Sequence, residues 1–329
     1  MGVGARGGGY SRRVTDPTMD GGAGVMVAAE RDSVLLPGHD VPLGRYTTVR
    51  RLLPHRERRM VGAWCFVDHF GPDDVAGTPG MRIPPHPHTG LQTVTWLLEG
   101  EILHRDSLGN VATARPGQLN VMTAGFGISH SEESPPDHPP VMHGLQLWAA
   151  LPDATRNGPP AFSHHPELPV RREGDAVITV VTGEVAGVRS PAQVHTPLVA
   201  AEIRLDGATR LPLEPDFEYG MLTLTGTAEV AGTPLAPGHL LYLGTGRSDL
   251  ICVGEGRLFL LGGEPFDEPL VMWWNFVART HEEIEQARLD WMGGVRFGHV
   301  VGFDGGALPA PPMPTTRLKA RDRHGRTLG

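Results

Sequence analysis

The chain has 329 residues, a formal net charge of −8 at pH 7, and 40% hydrophobic against 20% charged residues. This length allows one large domain or two of ordinary size, each with a buried core. The acidic balance argues against direct binding of nucleic acid or of an anionic membrane surface. Lys319 is the only lysine, which excludes a P-loop nucleotide site and, because it lies in a polar segment, Schiff-base chemistry.

The two ends of the chain have the composition of unfolded segments. Residues 1–31 are rich in Gly, Arg and Asp without a hydrophobic period, which predicts a disordered N-terminal tail. Residues 301–329 contain a proline-rich run followed by arginines, which predicts a second disordered tail. We recognise neither a targeting signal nor an apolar run as long as a membrane span, so we expect a cytoplasmic protein without membrane contact.

Between the ends, short apolar or alternating runs separated by Gly, Pro and Asp predict an all-β fold of sandwich or barrel type. They fall into two similar sets, residues 32–160 and 161–300, which indicates two copies of one β-barrel. One helix is predicted over 280–292, where Thr280 and Glu283 form a capping box. The predicted strands are residues 46–53, 62–68, 93–98, 119–123, 144–150, 177–181, 198–205, 219–224, 240–243, 249–253 and 258–261.

Two pairs of potential metal ligands stand in the first set. His86 and His88 have the i, i+2 spacing that places both side chains on one face of a strand. His130 and Glu132 repeat this spacing 42 residues after His88. If the two strands are neighbours, three imidazoles and one carboxylate converge. That donor set suits a divalent first-row metal such as Fe, Mn, Co, Ni or Cu.

The alternative for any histidine is an ordinary core or surface position. We adopt this interpretation for the remaining histidines of the chain. For His104 two interpretations are open, a group that supports a metal ligand or a satisfied surface residue, and we prefer the second.

A series of short motifs between residues 86 and 277 resembles the pirin family of the cupin superfamily. The resemblance implies a bicupin, with two antiparallel jelly-roll barrels and a short C-terminal helix. It also implies one metal, usually iron, in the N-terminal barrel. The motifs are His86-Pro87-His88-Thr89-Gly90, Leu97-Leu98-Glu99-Gly100, Pro116-Gly117, Met122-Thr123-Ala124-Gly125, His130-Ser131-Glu132, Gly144-Leu145-Gln146-Leu147-Trp148, Gly263-Glu264-Pro265 and Asn275-Phe276-Val277.

The resemblance assigns the metal ligands to His86, His88, His130 and Glu132. Many cupins have a glutamate ligand four residues after the second histidine. Gln92 stands there in this chain, so Glu132 is expected to supply the carboxylate. The C-terminal barrel has no His-x-His motif and is expected to hold no metal.

Two functions are compatible with this resemblance. The first is a metal-dependent dioxygenase of the quercetin 2,3-dioxygenase type, which takes a flavonol and O2 and uses Glu132 as a general base. The alternative is a non-enzymatic, iron-dependent regulator that binds a transcription factor or a metabolic enzyme. We prefer the enzyme because four protein ligands leave coordination positions open. Residues expected in its apolar pocket, or else in the core, are Trp96, Met122, Phe126 and Trp148.

Overall fold

The computed structural model describes Met1, residues 33–43 and residues 47–327. Apart from Met1, the predicted N-terminal tail lies outside the described residues. The part of the chain that is described consists mainly of antiparallel strands, which confirms the all-β class. None of its helices has the length and apolar character needed to cross a membrane.

The strands of the first half are β1 (Val34–Pro37), β2 (His39–Leu43), β3 (Thr47–Leu53), β4 (Trp64–Asp74), β5 (Arg82–His88), β6 (Leu91–Glu99), β7 (Ile102–Asp106), β8 (Val111–Ala114), β9 (Leu119–Thr123), β10 (Ile128–Glu133), β11 (Val141–Ala150) and β12 (Ala161–His165). Those of the second half are β13 (Val170–Glu173), β14 (Ala176–Thr182), β15 (Glu184–Val185), β16 (Val188–Arg189), β17 (Leu198–Pro212), β18 (Glu218–Val230), β19 (Thr233–Leu235), β20 (His239–Gly244), β21 (Asp249–Gly263), β22 (Val271–Trp273) and β23 (Phe276–Ala278), followed by the helix α1 (His281–Met292).

Three sheets build two units. The N-terminal unit has a seven-stranded sheet in the order β12-β9-β6-β11-β4-β3-β2 and a four-stranded sheet in the order β5-β10-β7-β8. The C-terminal unit is an eight-stranded sheet in the order β1-β20-β18-β21-β17-β14-β13, with β19 attached to β18. Strand β1 thus joins the sheet of the C-terminal unit, and β12 joins that of the N-terminal unit. The strand orders leave these sheets open at their edges.

Two of the predicted strands, residues 249–253 and 258–261, are parts of the single strand β21. Between them, Gly254 and Gly256 have φ values of +140° and +147°. A Cβ at these positions would lie 2.3 and 2.0 Å from carbonyl oxygens of the facing strand β18. The glycines therefore allow β21 to continue through a close approach of two backbones, where the sequence suggested a turn.

The largest apolar cluster joins the two units. Trp64 and Trp96 of the N-terminal unit belong to the same buried cluster as Leu222 and Phe259 of the C-terminal unit. The indole of Trp64 donates to the carbonyl oxygen of Val199 at 3.1 Å across this contact. The largest apolar cluster therefore belongs to both units.

The helix α1 begins as predicted, with Thr280 as its N-cap. The Thr280 hydroxyl oxygen accepts a hydrogen bond from the backbone N–H of Glu283 at 3.2 Å. The carboxylate of Glu283 accepts from the backbone N–H of Arg279, one residue before the cap. These bonds satisfy amide groups that the first helical turn leaves unpaired.

The segment 301–327, predicted to be a disordered tail, lies against both units instead. The backbone of Arg321 exchanges two hydrogen bonds with Leu270, at 2.9 and 3.0 Å. Arg323 donates to the buried carboxylate of Glu218 at 2.9 Å, and Leu318 packs against the apolar residues around α1. The composition of the segment does not reveal these contacts because the partners of Arg321 and Arg323 lie 51 and 105 residues away in sequence; residues 328–329 lie outside the described part.

Candidate metal centre

Three adjacent strands, β5, β10 and β7, carry the polar residues of the site. In the middle strand β10, His130 stands opposite His86 of β5 and opposite Asp106 of β7. Glu132 stands opposite His104 of β7. Each strand therefore contributes a pair at i and i+2, and the antiparallel register brings the three pairs to one face of the sheet.

The four predicted ligand residues and His104 form two overlapping buried groups that share His130. One ligand atom from each of His86, His88 and His130 lies within 4.8 Å of the others, and the same holds for His104, His130 and Glu132. The Nε2 atoms of His88 and His130 are 3.1 Å apart. All five side chains are at most 7% exposed. Ring nitrogens that face one another in a buried place can hold a metal ion.

Backbone carbonyl groups orient two of the imidazoles. The Nδ1–H of His86 donates to the carbonyl oxygen of Pro84 at 2.8 Å, and the Nδ1–H of His88 donates to that of Asn275 at 3.1 Å. In a neutral ring this leaves the Nε2 lone pair free to bind a metal. The residues present therefore fit a metal ion.

Burial sets the protonation of the cluster. It lowers the pKa of His86 to about 4 and lowers the pKa of His88 and of His130 well below the usual value. Burial also raises the pKa of Glu132, against the opposing effects of His104 and of a hydrogen bond from Thr95. At neutral pH His86, His88 and His130 are therefore neutral, which is the form that binds metals.

The seven-stranded sheet closes the site from the other side. The hydroxyl group of Thr95 lies 3.3 Å from Oε1 of Glu132 and 2.9 Å from Oε1 of Gln146. The ring of Trp148 packs edge-on against His88, with centroids 5.1 Å apart. The cluster thus lies between the two sheets of the N-terminal unit, with the ring of Trp148 packed against it.

The structure corrects the surface interpretation of His104. This residue is 3% exposed, its ring stacks on Phe162 with centroids 4.3 Å apart, and it contacts His130. The sequence carried a signal for it, because His104-Arg105-Asp106 is a third pair with i, i+2 spacing. The spacing alone does not bring His104 to the site, because the sequence does not predict the pairing of β7 with β10.

The residues proposed for an apolar pocket separate into three groups. Trp96 and Met122 are buried in the shared core. Phe126 is 50% exposed and stacks under the guanidinium of Arg296 at 4.1 Å. Only Trp148 contacts the cluster. Gln92, which stands at the position of the glutamate ligand of other cupins, donates to Thr123 and to a backbone carbonyl group instead.

In the C-terminal unit, the first residue of β18 is a buried carboxylate. Glu218 is fully buried and accepts hydrogen bonds from the backbone N–H of Gly62 at 2.7 Å and from the hydroxyl of Tyr242 at 2.8 Å. The guanidinium groups of Arg58 and Arg323 lie 3.8 and 2.9 Å from it. Its charge is therefore balanced by the protein. That this unit holds no metal stays a prediction.

Comparison with known proteins agrees with this geometry. The family model described as Pirin matches residues 46–149, and that described as Pirin C-terminal cupin domain matches residues 198–298. A Pseudomonas aeruginosa protein provisionally named quercetin 2,3-dioxygenase is 48% identical over 277 residues, which cover 83% of this chain and 88% of that protein.

Two solved structures extend the comparison. A crystal structure of quercetin 2,3-dioxygenase from Acinetobacter baumannii is 43% identical, with a TM-score of 0.85 over 89% of this chain and 99% of that one. A bacterial pirin from Escherichia coli in complex with nickel(II) shares the fold at 17% identity, with a TM-score of 0.57 over 71% of this chain and all of that one. Together with the two family models, these similarities establish the bicupin architecture, and the chain belongs to the pirin family.

Proposed function

We propose that this chain is a metal-dependent dioxygenase of the quercetin 2,3-dioxygenase type. One divalent metal ion is held by His86, His88, His130 and Glu132, and Fe(II) is the first expectation, with Mn, Co, Ni and Cu suited to the same donors. The observation that carries the proposal is a buried group of three neutral imidazoles, from His86, His88 and His130, with the carboxylate of Glu132 close to His130. The similarity to proteins named quercetin 2,3-dioxygenase supports the choice of substrate.

The proposed reaction incorporates O2 into a flavonol. The two atoms of O2 bond to C2 and C4 and stay in the ester product, while the O–O bond and the two ring bonds to C3 break. C3 leaves with the oxygen of its own hydroxyl group as carbon monoxide. A divalent metal in the cluster supplies Lewis acidity, which lowers the pKa of the flavonol 3-hydroxyl group.

Glu132 accepts the proton of that hydroxyl group. Burial raises the pKa of its carboxyl group and thus its affinity for a proton, and it is 5% exposed beside the ring nitrogens of the cluster. Thr95 hydrogen-bonds to the same carboxylate and limits its rotation. Trp148 and Phe162 pack against His88 and His104 and exclude water from this side of the cluster.

Reconstitution of the chelator-treated protein tests this proposal. The protein is loaded in turn with Fe(II), Mn(II), Co(II), Ni(II) and Cu(II), and metal content, O2 uptake and loss of quercetin absorbance are measured. We expect one ion per chain and turnover of quercetin with release of carbon monoxide. His88→Ala removes one ligand and is expected to lose metal and turnover together. Glu132→Gln removes the base and is expected to lower kcat by about 10²–10⁴-fold.

The matched control is His239→Ala, a half-buried histidine of the C-terminal unit, which is expected to retain metal content and turnover. A metal-loaded protein that consumes no O2 with a panel of flavonols contradicts the enzymatic proposal. That result leaves the alternative, an iron-dependent regulator that binds a protein partner.

A further inference from the structure

A chain of polar contacts leads from a surface-proximal turn to His130. The Oδ2 atom of Asp106 lies 3.2 Å from Nε2 of His104, and Nδ1 of His104 lies 3.4 Å from Nδ1 of His130. The other ring nitrogen of His130, Nε2, faces Nε2 of His88 at 3.1 Å. The side chains of Asp106, His104 and His130 are at most 3% exposed, so water does not compete for these contacts.

The carboxylate fixes which atoms carry the protons. Oδ1 of Asp106 accepts hydrogen bonds from the backbone N–H groups of Leu108 and Asn110, at 2.9 and 3.0 Å, and also from the amide side chain of Asn110. These donors hold the group as an acceptor, so Nε2 of His104 must be the protonated nitrogen. Nδ1 of His104 then accepts a hydrogen bond from Nδ1–H of His130. The lone pair of His130 is left on Nε2, the atom that faces Nε2 of His88.

We propose that His104 is a positioning residue that fixes the metal-binding tautomer of His130 and is itself oriented by Asp106. This inference rests on the proposed role of His130 as a metal ligand. Pro84 and Asn275 orient His86 and His88 through backbone carbonyl groups, and His104 does the same for the third imidazole with a side chain. Both ring nitrogens of His104 are engaged, so it is not a fifth ligand.

Two substitutions at one position separate this role from packing. His104→Phe keeps an aromatic ring that stacks on Phe162 but removes the acceptor for His130. His104→Gln restores a carbonyl oxygen that accepts from His130 and an amide that donates to Asp106. We measure the affinity for Co(II) by competition with a chelating dye, together with the visible absorption spectrum of bound Co(II).

His104→Phe is expected to weaken Co(II) binding by about 10–100-fold, the usual effect of losing such a supporting contact. His104→Gln is expected to restore the affinity and the spectrum of the wild type. The matched control His239→Phe is expected to change neither. Unchanged affinity in His104→Phe overturns the proposal. Equal losses in both His104 variants, with an altered spectrum, also overturn it by making His104 a ligand.

A second measurement reads the tautomer directly in metal-free protein. Long-range ¹H–¹⁵N spectra of the histidine rings are expected to show His130 protonated at Nδ1 in the wild type and in His104→Gln, but not in His104→Phe. Protonation of His130 at Nε2 in the wild type overturns the proposal. If the wild type binds no Co(II), the proposed metal-dependent function fails. The tautomer of His130 in the metal-free protein still shows whether His104 positions that ring.

Discussion

His69 and His143, which are buried outside the cluster of predicted metal ligands, show how strongly burial affects the pKa of a histidine. Nε2 of His69 and Nε2 of His143 are 2.8 Å apart, so one ring donates to the other, and the side chains are 7% and 1% exposed. Burial lowers the pKa of His69 to about 4, with a further contribution from His143. A proton on both rings would break this contact and place two charges side by side.

This pair predicts a loss of stability in mild acid. The folded pKa of His69 lies below the unfolded value, so the unfolded chain takes up the proton first as the pH falls. The contribution of His69 is present above about pH 6.5 and is lost as the pH approaches 4. Between pH 7 and pH 5 this amounts to about 2 kcal/mol of unfolding free energy, measured by urea denaturation. His69→Gln is expected to reduce this pH dependence and His239→Gln to leave it unchanged; equal pH dependence in wild type and His69→Gln contradicts the prediction.

The ligand pairs could be predicted at the residue scale because their signal is local. His86 and His88, like His130 and Glu132, are two positions apart, and strand geometry alone places each pair on one face. His104 and Asp106 have the same spacing, but their significance depends on the register that sets them opposite Glu132 and His130. Pairing of this kind joins residues 24 or more positions apart, and no spacing within a strand encodes it.

At the scale of elements, alternation of apolar residues predicted most of the strands, but it gave no indication of how the C-terminal segment is held. Arg323 of that segment and Arg58 of the N-terminal unit both contact the fully buried Glu218. The composition of residues 301–329 suggested solvated arginines because a single sequence does not reveal a buried carboxylate 105 residues away. A buried ion cluster of this kind links three parts of the chain.

Glu218→Gln is therefore expected to be strongly destabilising. The amide keeps the shape of the side chain but leaves two arginines near a neutral group in a buried place, so we expect a loss of about 3–5 kcal/mol in unfolding free energy. The same change at Glu282, which pairs with Arg317 on the surface, is expected to cost less than about 1 kcal/mol. Chemical denaturation of both variants measures the difference, and similar costs for the two would show that the buried cluster contributes little.

At the scale of the whole molecule, one apolar cluster joins the two units and another lies entirely within the C-terminal unit. The cluster that contains Trp64, Trp96, Leu222 and Phe259 joins them. A second cluster, which includes the buried Leu241, consists only of residues between 176 and 260. The two similar strand sets indicated two units from the sequence, but segments such as Leu258–Leu261 of β21 are apolar and buried on both faces, so the face shared between the units could not be distinguished from an internal one.

The shared core predicts that the molecule unfolds in one cooperative transition. Leu241→Ala acts on the cluster confined to the C-terminal unit and is expected to cost about 2–5 kcal/mol. Co(II) acts on the ligand cluster of the N-terminal unit and is expected to stabilise the native state by an amount that grows with the logarithm of its concentration relative to Kd. If the units are coupled, calorimetry shows one endotherm that Leu241→Ala moves down and Co(II) moves up. Two endotherms, one moved only by the substitution and the other only by the metal, would contradict this coupling, because each unit would then unfold without the apolar surface of the other.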